Sequence, residues 1–183
     1  MGFRYGFKAN ANRIALKVRE RMGLAPEAPI DPLEICALFE IEVIGLSSLS
    51  CDASVFLGAE SSAFSAMTVP CGLHTAIVHN DSHRPNRQRS NICHELGHCL
   101  LGHQCTPPLT PSGDRARDGG IEAEANFVGG TLLISNEAAH HILREGMSPG
   151  EAQREYGVSA EMLTYRLRVS GAYIVASRAR RRG

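Results

Sequence analysis

The chain of 183 residues carries 19 lysines and arginines against 19 aspartates and glutamates, so its formal net charge is zero. This balance gives no case for binding nucleic acid or membranes through bulk charge, and no apolar segment approaches the ~18 residues of a transmembrane helix. The length predicts one domain, and six cysteines without a CxxC pair or an apolar secretion segment predict reduced thiols in the cytoplasm.

The first half of the chain predicts helices followed by strands. One helix is predicted over 9–22, and Asp31-Pro32-Leu33-Glu34, with a capping aspartate and a proline at the first position, starts another that reaches Phe39. Three strands are then predicted: Ile41–Gly45, Phe64–Pro70 and His74–His79. Together these elements predict an α+β fold, a small antiparallel sheet packed against a helical bundle with further helices at the C-terminus.

The most informative part of the chain is the run His94-Glu95-Leu96-Gly97-His98, an HExxH motif. The stretch 87–93 before it contains neither glycine nor proline, so a helix can continue through the motif. Apolar residues recur beside the motif at helical spacing: Ile92, Leu96, Cys99 and Leu100. The two histidines, four residues apart, then lie on one face of the helix, at the border of its buried side.

Two histidines in this arrangement are predicted to bind a metal. His94 and His98 can converge on one zinc ion, which lowers the pKa of a water in its open position to near 7. Because Glu95 follows the first histidine, its carboxylate can reach that water and take its proton as a general base. The motif therefore predicts a metallohydrolase, most often a protease, and the alternative is a helix with two surface histidines.

A zinc site of this kind needs a third protein ligand. His103 follows His98 by five residues, whereas metzincins place the third histidine six residues after the second, so we expect His103 at the exposed end of the helix. Glu122 lies on a second predicted helix, and Asn126 follows four residues later, as in gluzincins, where such a side chain braces the site. We predict that Glu122 is the ligand and Asn126 the bracing residue. Glu124, about 200° around the helix, is the alternative ligand.

The C-terminal part is predicted to be helical after a loop over 104–119, which is expected near the metal. The predicted helices run from Ser135 to about Glu145, from a capping box at Ser148–Glu151 to Tyr156, and from Ser159 to about Val169. The last two helices make a helix-turn-helix-like unit over 148–170, either a DNA-binding element or a packing hairpin. Residues 171–183 are predicted to be a basic tail that binds nucleic acid at most weakly.

These motifs resemble those of the ImmA/IrrE family of metallo-endopeptidases. The resemblance depends on three segments besides HExxH: Arg87-Gln88-Arg89, Glu122-Ala123-Glu124-Ala125-Asn126 and Leu132-Leu133. It implies a cytosolic zinc protease with these site residues: ligands His94, His98 and Glu122, and general base Glu95. The chain departs from the family at Gly129 and Gly130, where alanines are usual, although glycine inside a helix costs up to ~1 kcal/mol relative to alanine.

Two functions of different class follow. The first is an endopeptidase with one Zn²⁺, in a single metallopeptidase domain over 1–170, because known family members cleave helix-turn-helix repressors. Its substrate is then a transcriptional repressor or an antitoxin-like regulator. The second is a non-catalytic DNA-binding or partner-binding regulator with a structural or inactive metal site. Glu95 argues against the second, because a structural site needs no carboxylate beside an open metal position.

The way a substrate is held can also be predicted. A protease must fix a peptide in extended form, and an exposed sheet edge does this by adding the peptide as a strand. We expect an edge of the Phe64–His79 hairpin to line the cleft above His94, with His74–His79 as the nearest strand. Proline at Ile77 or Val78 would then remove an edge donor.

Overall fold

The computed structural model describes residues 2–58, 60–72, 74–103 and 119–180, so nearly all of the predicted 104–119 loop lies outside it. Within these residues the helices are α1 (Phe7–Arg21), α2 (Pro32–Leu38), α3 (Ser54–Leu57), α4 (Pro85–Leu101), α5 (Gly119–Leu133), α6 (Asn136–Arg144), α7 (Pro149–Tyr156), α8 (Ala160–Val169) and α9 (Ala172–Arg180). The strands are β1 (Ile41–Gly45), β2 (Ala66–Cys71) and β3 (His74–His79). The predicted α+β fold class is confirmed.

The helix starts predicted from capping residues are confirmed. The Asp31 side chain accepts a hydrogen bond from the Leu33 backbone N–H at 3.0 Å and so starts α2. Ser148 and Glu151 form both hydrogen bonds of a capping box at the start of α7. Serine hydroxyls also cap α6 and α8: Ser135 and Ser159. In each case a side chain pairs with a backbone donor that the first helical turn leaves without a partner.

The sheet is mixed, which corrects the predicted antiparallel arrangement. β2 and β3 pair antiparallel, but β1 pairs parallel with β3, so the strand order is β1-β3-β2. Parallel neighbours need a long connection, and here residues 46–73, which include β2, supply it. That segment contains α3 and two 3₁₀ turns, and its Leu46 and Ala53 pack against Val78 on one face of the sheet. β3 is therefore the central strand and β2 an edge, so the predicted proline test at Ile77 or Val78 would not probe an edge.

The helices α4 and α5 approach each other closely at two glycines. A Cβ at Gly97 would lie 2.5 Å from the carbonyl oxygen of Ala125, and a Cβ at Gly129 would lie 2.7 Å from that of Cys93. Backbone atoms of a packed helix cannot move aside as the end of a flexible side chain can. Gly129 therefore departs from the usual alanine because the facing helix leaves no room for a methyl group, and this contact brings the HExxH helix beside the helix of Glu122.

Two fully buried arginines fix the C-terminal end of α5. Arg19 donates from Nη2 to the carbonyl oxygen of Leu132 at 2.9 Å, and Arg166 donates from Nε to that of Ile134 at 2.9 Å. The last carbonyls of a helix lack backbone donors, and cations there also suit the helix dipole. Because Arg166 belongs to α8, the predicted helix-turn-helix-like unit is tied to the core at this point.

The segment predicted as a basic tail begins with a helix, α9. Its first residue, Ala172, is buried in the main core, which explains why the chain stays ordered beyond α8. Arg181 and Arg182, which make much of the predicted basic character, lie outside the described residues. Of the helices in the described ranges, none combines the length and the hydrophobicity needed to cross a bilayer.

Candidate metal centre

Three side chains from α4 and α5 converge on one point. The Nε2 atoms of His94 and His98 are 3.1 Å apart, because residues four apart on a helix share a face. Glu122, in the first turn of α5, places Oε2 3.4 Å from Nε2 of His94 and Oε1 3.5 Å from Nε2 of His98. In the described part of the chain, this is the one group of three or more His, Cys, Asp or Glu side chains whose potential ligand atoms all lie within 4.8 Å of one another.

The spacing of these atoms fits a divalent metal. Zinc bonds to nitrogen and oxygen at about 2.0–2.2 Å, so two ligands at a tetrahedral angle are about 3.3–3.6 Å apart. The observed separations of 3.1, 3.4 and 3.5 Å are close to that range. The donor set of two imidazoles and one carboxylate is also one that binds zinc. These three residues could therefore hold a metal without a large rearrangement.

The surroundings of the two histidines bear on whether each Nε2 could bind a metal. Burial, with His94 nearby, lowers the pKa of His98 to about 4, so its ring is uncharged at neutral pH. Nδ1 of His94 lies 3.0 Å from Oδ1 of Asn126. Since that oxygen can only accept, Nδ1 of His94 carries a proton, and a neutral ring then has its lone pair on Nε2. Asn126 thus lies where a bracing residue was predicted.

Glu95 lies beside these atoms but does not share their point of convergence. Its carboxylate is buried, with the residue 7% exposed, and its Oε1 is 4.0 Å from Nε2 of His94. The hydroxyl of Thr68 donates to Oε2 at 2.7 Å. Burial raises the pKa of Glu95, and the hydrogen bond from Thr68 acts in the opposite direction. Thr68 could not be identified from the sequence, because a threonine in a strand carries no motif that reveals its partner.

Two other predicted candidates lie outside the group of three. Glu124, the alternative ligand, faces Arg4 and His103 instead, with Oε2 3.6 Å from Nε2 of His103. His103 is not at an exposed helix end, which corrects the prediction: its side chain is only 11% exposed and its Nδ1 is 3.1 Å from Nδ1 of His98.

The fold of the chain after α4 explains the position of His103. The backbone N–H of His103 donates to the carbonyl oxygen of His98 at 3.0 Å, and that of Gly102 donates to Cys99 at 3.1 Å. With Gly102 at φ 67°, these bonds form a Schellman motif, which turns the chain back over the last helical turn. In the sequence, a glycine and then a polar residue follow His98 at four and five positions, Gly102 and His103. This pattern could have indicated the contact.

Replacing Thr68 by valine tests its influence on Glu95. Valine keeps the shape but removes the hydroxyl that lowers the pKa of the carboxyl, so that pKa should rise further. A general base works in its ionised form, and activity falls as the pH drops through its pKa. We therefore expect the acid limb of the kcat/KM profile of any peptidase activity to move to higher pH, with the plateau less affected. A pH profile that superimposes on that of the unmodified protein would contradict the influence of Thr68 on the pKa of Glu95.

Comparison with known proteins agrees with this geometry. The model of the peptidase M78 family, described as the IrrE N-terminal-like domain, matches residues 51–168, more than half of the chain. A search of curated proteins gives no match. Among solved structures, a Mycobacterium tuberculosis transcriptional regulator is similar, with a TM-score of 0.51 and 15% identity over 90% of this chain and 47% of that one. The chain thus spans about half of that regulator's length, and at this identity the likeness concerns the fold alone.

The family match covers α4, α5 and every residue of the convergent group. It agrees with the resemblance indicated by the HExxH segment and by the segment that begins at Glu122. The chain belongs to the peptidase M78 family, with an IrrE N-terminal-like domain.

Proposed function

We propose that the chain is a zinc endopeptidase with one metal ion, bound by His94, His98 and Glu122, and with Glu95 as the general base. The observation that carries this proposal is a group of three potential ligands beside a buried carboxylate. Structural zinc sites are closed by four protein ligands, whereas catalytic sites have three and an open position. When bound, zinc would supply an electrophile that polarises the scissile carbonyl and makes water more acidic.

In this proposal Glu95 transfers one proton. Its carboxylate takes the proton from the attacking water and returns it to the leaving nitrogen of the peptide. The burial that raises its pKa also makes the carboxylate a stronger base. Thr68 holds one carboxylate oxygen, so the other, Oε1, is directed towards His94.

The substrate peptide is proposed to bind along β2, the edge strand. The Asn80 N–H donates to the carbonyl oxygen of Ser65, so this pair of opposite residues is hydrogen-bonded. Antiparallel pairs alternate between hydrogen-bonded and non-hydrogen-bonded ones, so Met67, two residues after Ser65, also bonds to β3. The residues at the alternate positions turn their backbone groups to the free edge: Ala66, Thr68 and Pro70. A peptide that pairs with this edge passes Thr68, whose side chain contacts the general base.

Proline in place of Ala66 tests this docking strand. Pro70 already occupies a position that, like that of Ala66, turns its backbone groups away from β3. A second proline at position 66 therefore leaves the hydrogen bonds between β2 and β3 intact. It removes one outward donor, and loss of one hydrogen bond of about 0.5–1.5 kcal/mol should lower kcat/KM about 2–10-fold. Zinc content and the unfolding midpoint, measured in parallel, should stay near those of the unmodified chain. Unchanged cleavage in a folded, zinc-loaded variant would exclude β2 as the docking strand.

As the substrate we propose a transcriptional repressor or an antitoxin-like regulator, which the family membership supports. We also propose that residues 1–170 form one metallopeptidase domain, whose main core contains residues from Phe7 in α1 to Leu167 in α8 and extends to Ala172 at the start of α9. The competing function is a DNA-binding or partner-binding regulator that uses the α7–α8 pair. Against it, α8 has Leu163, Arg166 and Leu167 buried in the fold.

The test combines zinc analysis with cleavage assays. Purified protein should contain about one zinc per chain and should cleave casein or, more selectively, helix-turn-helix repressors encoded near its gene. Absence of bound zinc after incubation with the metal would overturn the proposal. A zinc-loaded protein that leaves every tested substrate intact yet binds DNA would also overturn the proposal, and that result would favour the regulator.

A further inference from the structure

A series of close polar contacts begins at the second histidine of the proposed metal centre, His98. Nδ1 of His98 lies 3.1 Å from Nδ1 of His103, and Nε2 of His103 lies 3.6 Å from Oε2 of Glu124. The other carboxylate oxygen of Glu124 faces Nε of Arg4 at 3.7 Å. The rings of His98 and His103 meet edge to face, with centroids 5.1 Å apart. Four parts of the chain thus contribute to one line of polar groups that ends at Nε2 of His98: the N-terminal segment, α5, the turn after α4 and α4 itself.

The chemistry at the Glu124 end sets the direction of the proton donors along this line. A carboxylate attracts a donor and cannot supply one, so His103 turns the N–H of Nε2 towards Glu124, although 3.6 Å is longer than a hydrogen bond. A neutral His103 then has its lone pair on Nδ1 and must accept there. The partner on that side is Nδ1 of His98, which therefore carries its proton. Nε2 of His98 is left with the lone pair, 3.5 Å from the Glu122 carboxylate.

We propose that His103 and Glu124 are positioning residues of the metal centre, which hold His98 in the tautomer and orientation that bind zinc. This inference rests on the proposed function. His103 does for His98 what Asn126 does for His94, because each accepts a hydrogen bond from the Nδ1–H of its histidine. Partners of this kind raise the basicity of a ligating histidine and fix its ring, and their loss typically weakens metal binding 10–100-fold.

The buried residues of this line should contribute most to the positioning of His98. The side chains of His98, His103 and Glu124 are largely shielded from water, so a hydrogen bond between them is not exchanged freely for one to solvent. Arg4 is mostly exposed, and an ion pair with an exposed arginine contributes little. The effect should therefore depend on His103 first and on Glu124 through His103, with Arg4 as a minor contributor.

Zinc affinity, measured by competition with a chromogenic chelator, tests this proposal. His103→Phe keeps the ring volume but offers no acceptor, so zinc should bind about 10–100-fold more weakly. His103→Asn places an amide oxygen near the position of Nδ1, and binding should recover to within a few-fold of the unmodified chain. Glu124→Leu should weaken binding in the unmodified chain but have no effect in the His103→Asn background, where Nε2 is missing. His74→Phe, at an exposed histidine, is the matched control.

A spectroscopic measurement separates positioning from a merely structural role. In the metal-free protein, nitrogen-15 NMR should show His98 protonated at Nδ1, and His103→Phe should shift it towards the other tautomer. The inference would be overturned if His103→Phe bound zinc as tightly as the unmodified chain, or if His103→Asn bound it as weakly as His103→Phe. If the unmodified chain bound zinc no more tightly than His98→Ala does, the proposed metal centre itself would be refuted.

Discussion

Replacing Glu95 by glutamine is expected to lower peptide hydrolysis by about 10²–10⁴-fold, the usual contribution of a general base, while the fold and the zinc content stay the same. An amide cannot take a proton from water, although its oxygen can still accept the hydrogen bond from Thr68. The side chain is nearly isosteric, so the packing around it changes little. The measurement is the initial rate of cleavage of casein or of the proposed repressor substrate by zinc-loaded protein, with circular dichroism and metal analysis of the same sample.

The matched control for this experiment is Glu20→Gln, which makes the same change of charge at an exposed position of α1. Its cleavage rate should equal that of the unmodified protein. If Glu95→Gln retained a rate comparable to the control, Glu95 would have no part in proton transfer. Loss of zinc from Glu95→Gln, on the other hand, would mean that this carboxylate supports the metal site rather than the chemistry.

The features predicted correctly from the sequence are those fixed by local spacing. Helical periodicity places His94 and His98 on one face, and the same spacing places Asn126 one turn after Glu122. The helix starts also followed from local rules, because a capping side chain pairs with backbone N–H groups two or three residues ahead. The α+β class followed from the order of such segments along the chain.

The features that were missed depend on contacts between distant parts of the chain. Thr68 reaches Glu95 only because β2 packs against α4. The parallel pairing of β1 and β3 depends on where the long segment 46–73 delivers the chain, which no local pattern specifies. His103 was expected to be exposed because its spacing excludes a metzincin site, but the turn at Gly102 folds it back over His98. α9 was missed because its packing on the core depends on tertiary contacts of Ala172.

The second large effect is expected where α4 and α5 touch. Replacing Gly97 by alanine puts a methyl carbon 2.5 Å from the Ala125 carbonyl oxygen and 3.1 Å from two other backbone atoms of that residue. Carbon and oxygen atoms normally stay more than 3 Å apart, so the two helices must separate. Overpacking of this kind costs about 1–3 kcal/mol, which exceeds the helix propensity of up to ~1 kcal/mol that alanine gains over glycine. The net change should be a lower free energy of unfolding in urea.

The same displacement should reach the metal centre, because His94 and His98 belong to α4 whereas Glu122 and Asn126 belong to α5. The potential ligand atoms, which lie 3.4 and 3.5 Å from one another across this contact, would move apart, so zinc affinity should fall by at least about 10-fold. Gly150→Ala is the control: it also lies in a helix, but its Cβ would meet only the end of the Arg154 side chain, at 3.5 Å. That variant should be as stable as the unmodified chain or slightly more so, with unchanged zinc affinity. Equal behaviour of the two alanine variants would show that the glycine contact between α4 and α5 does not position the ligands.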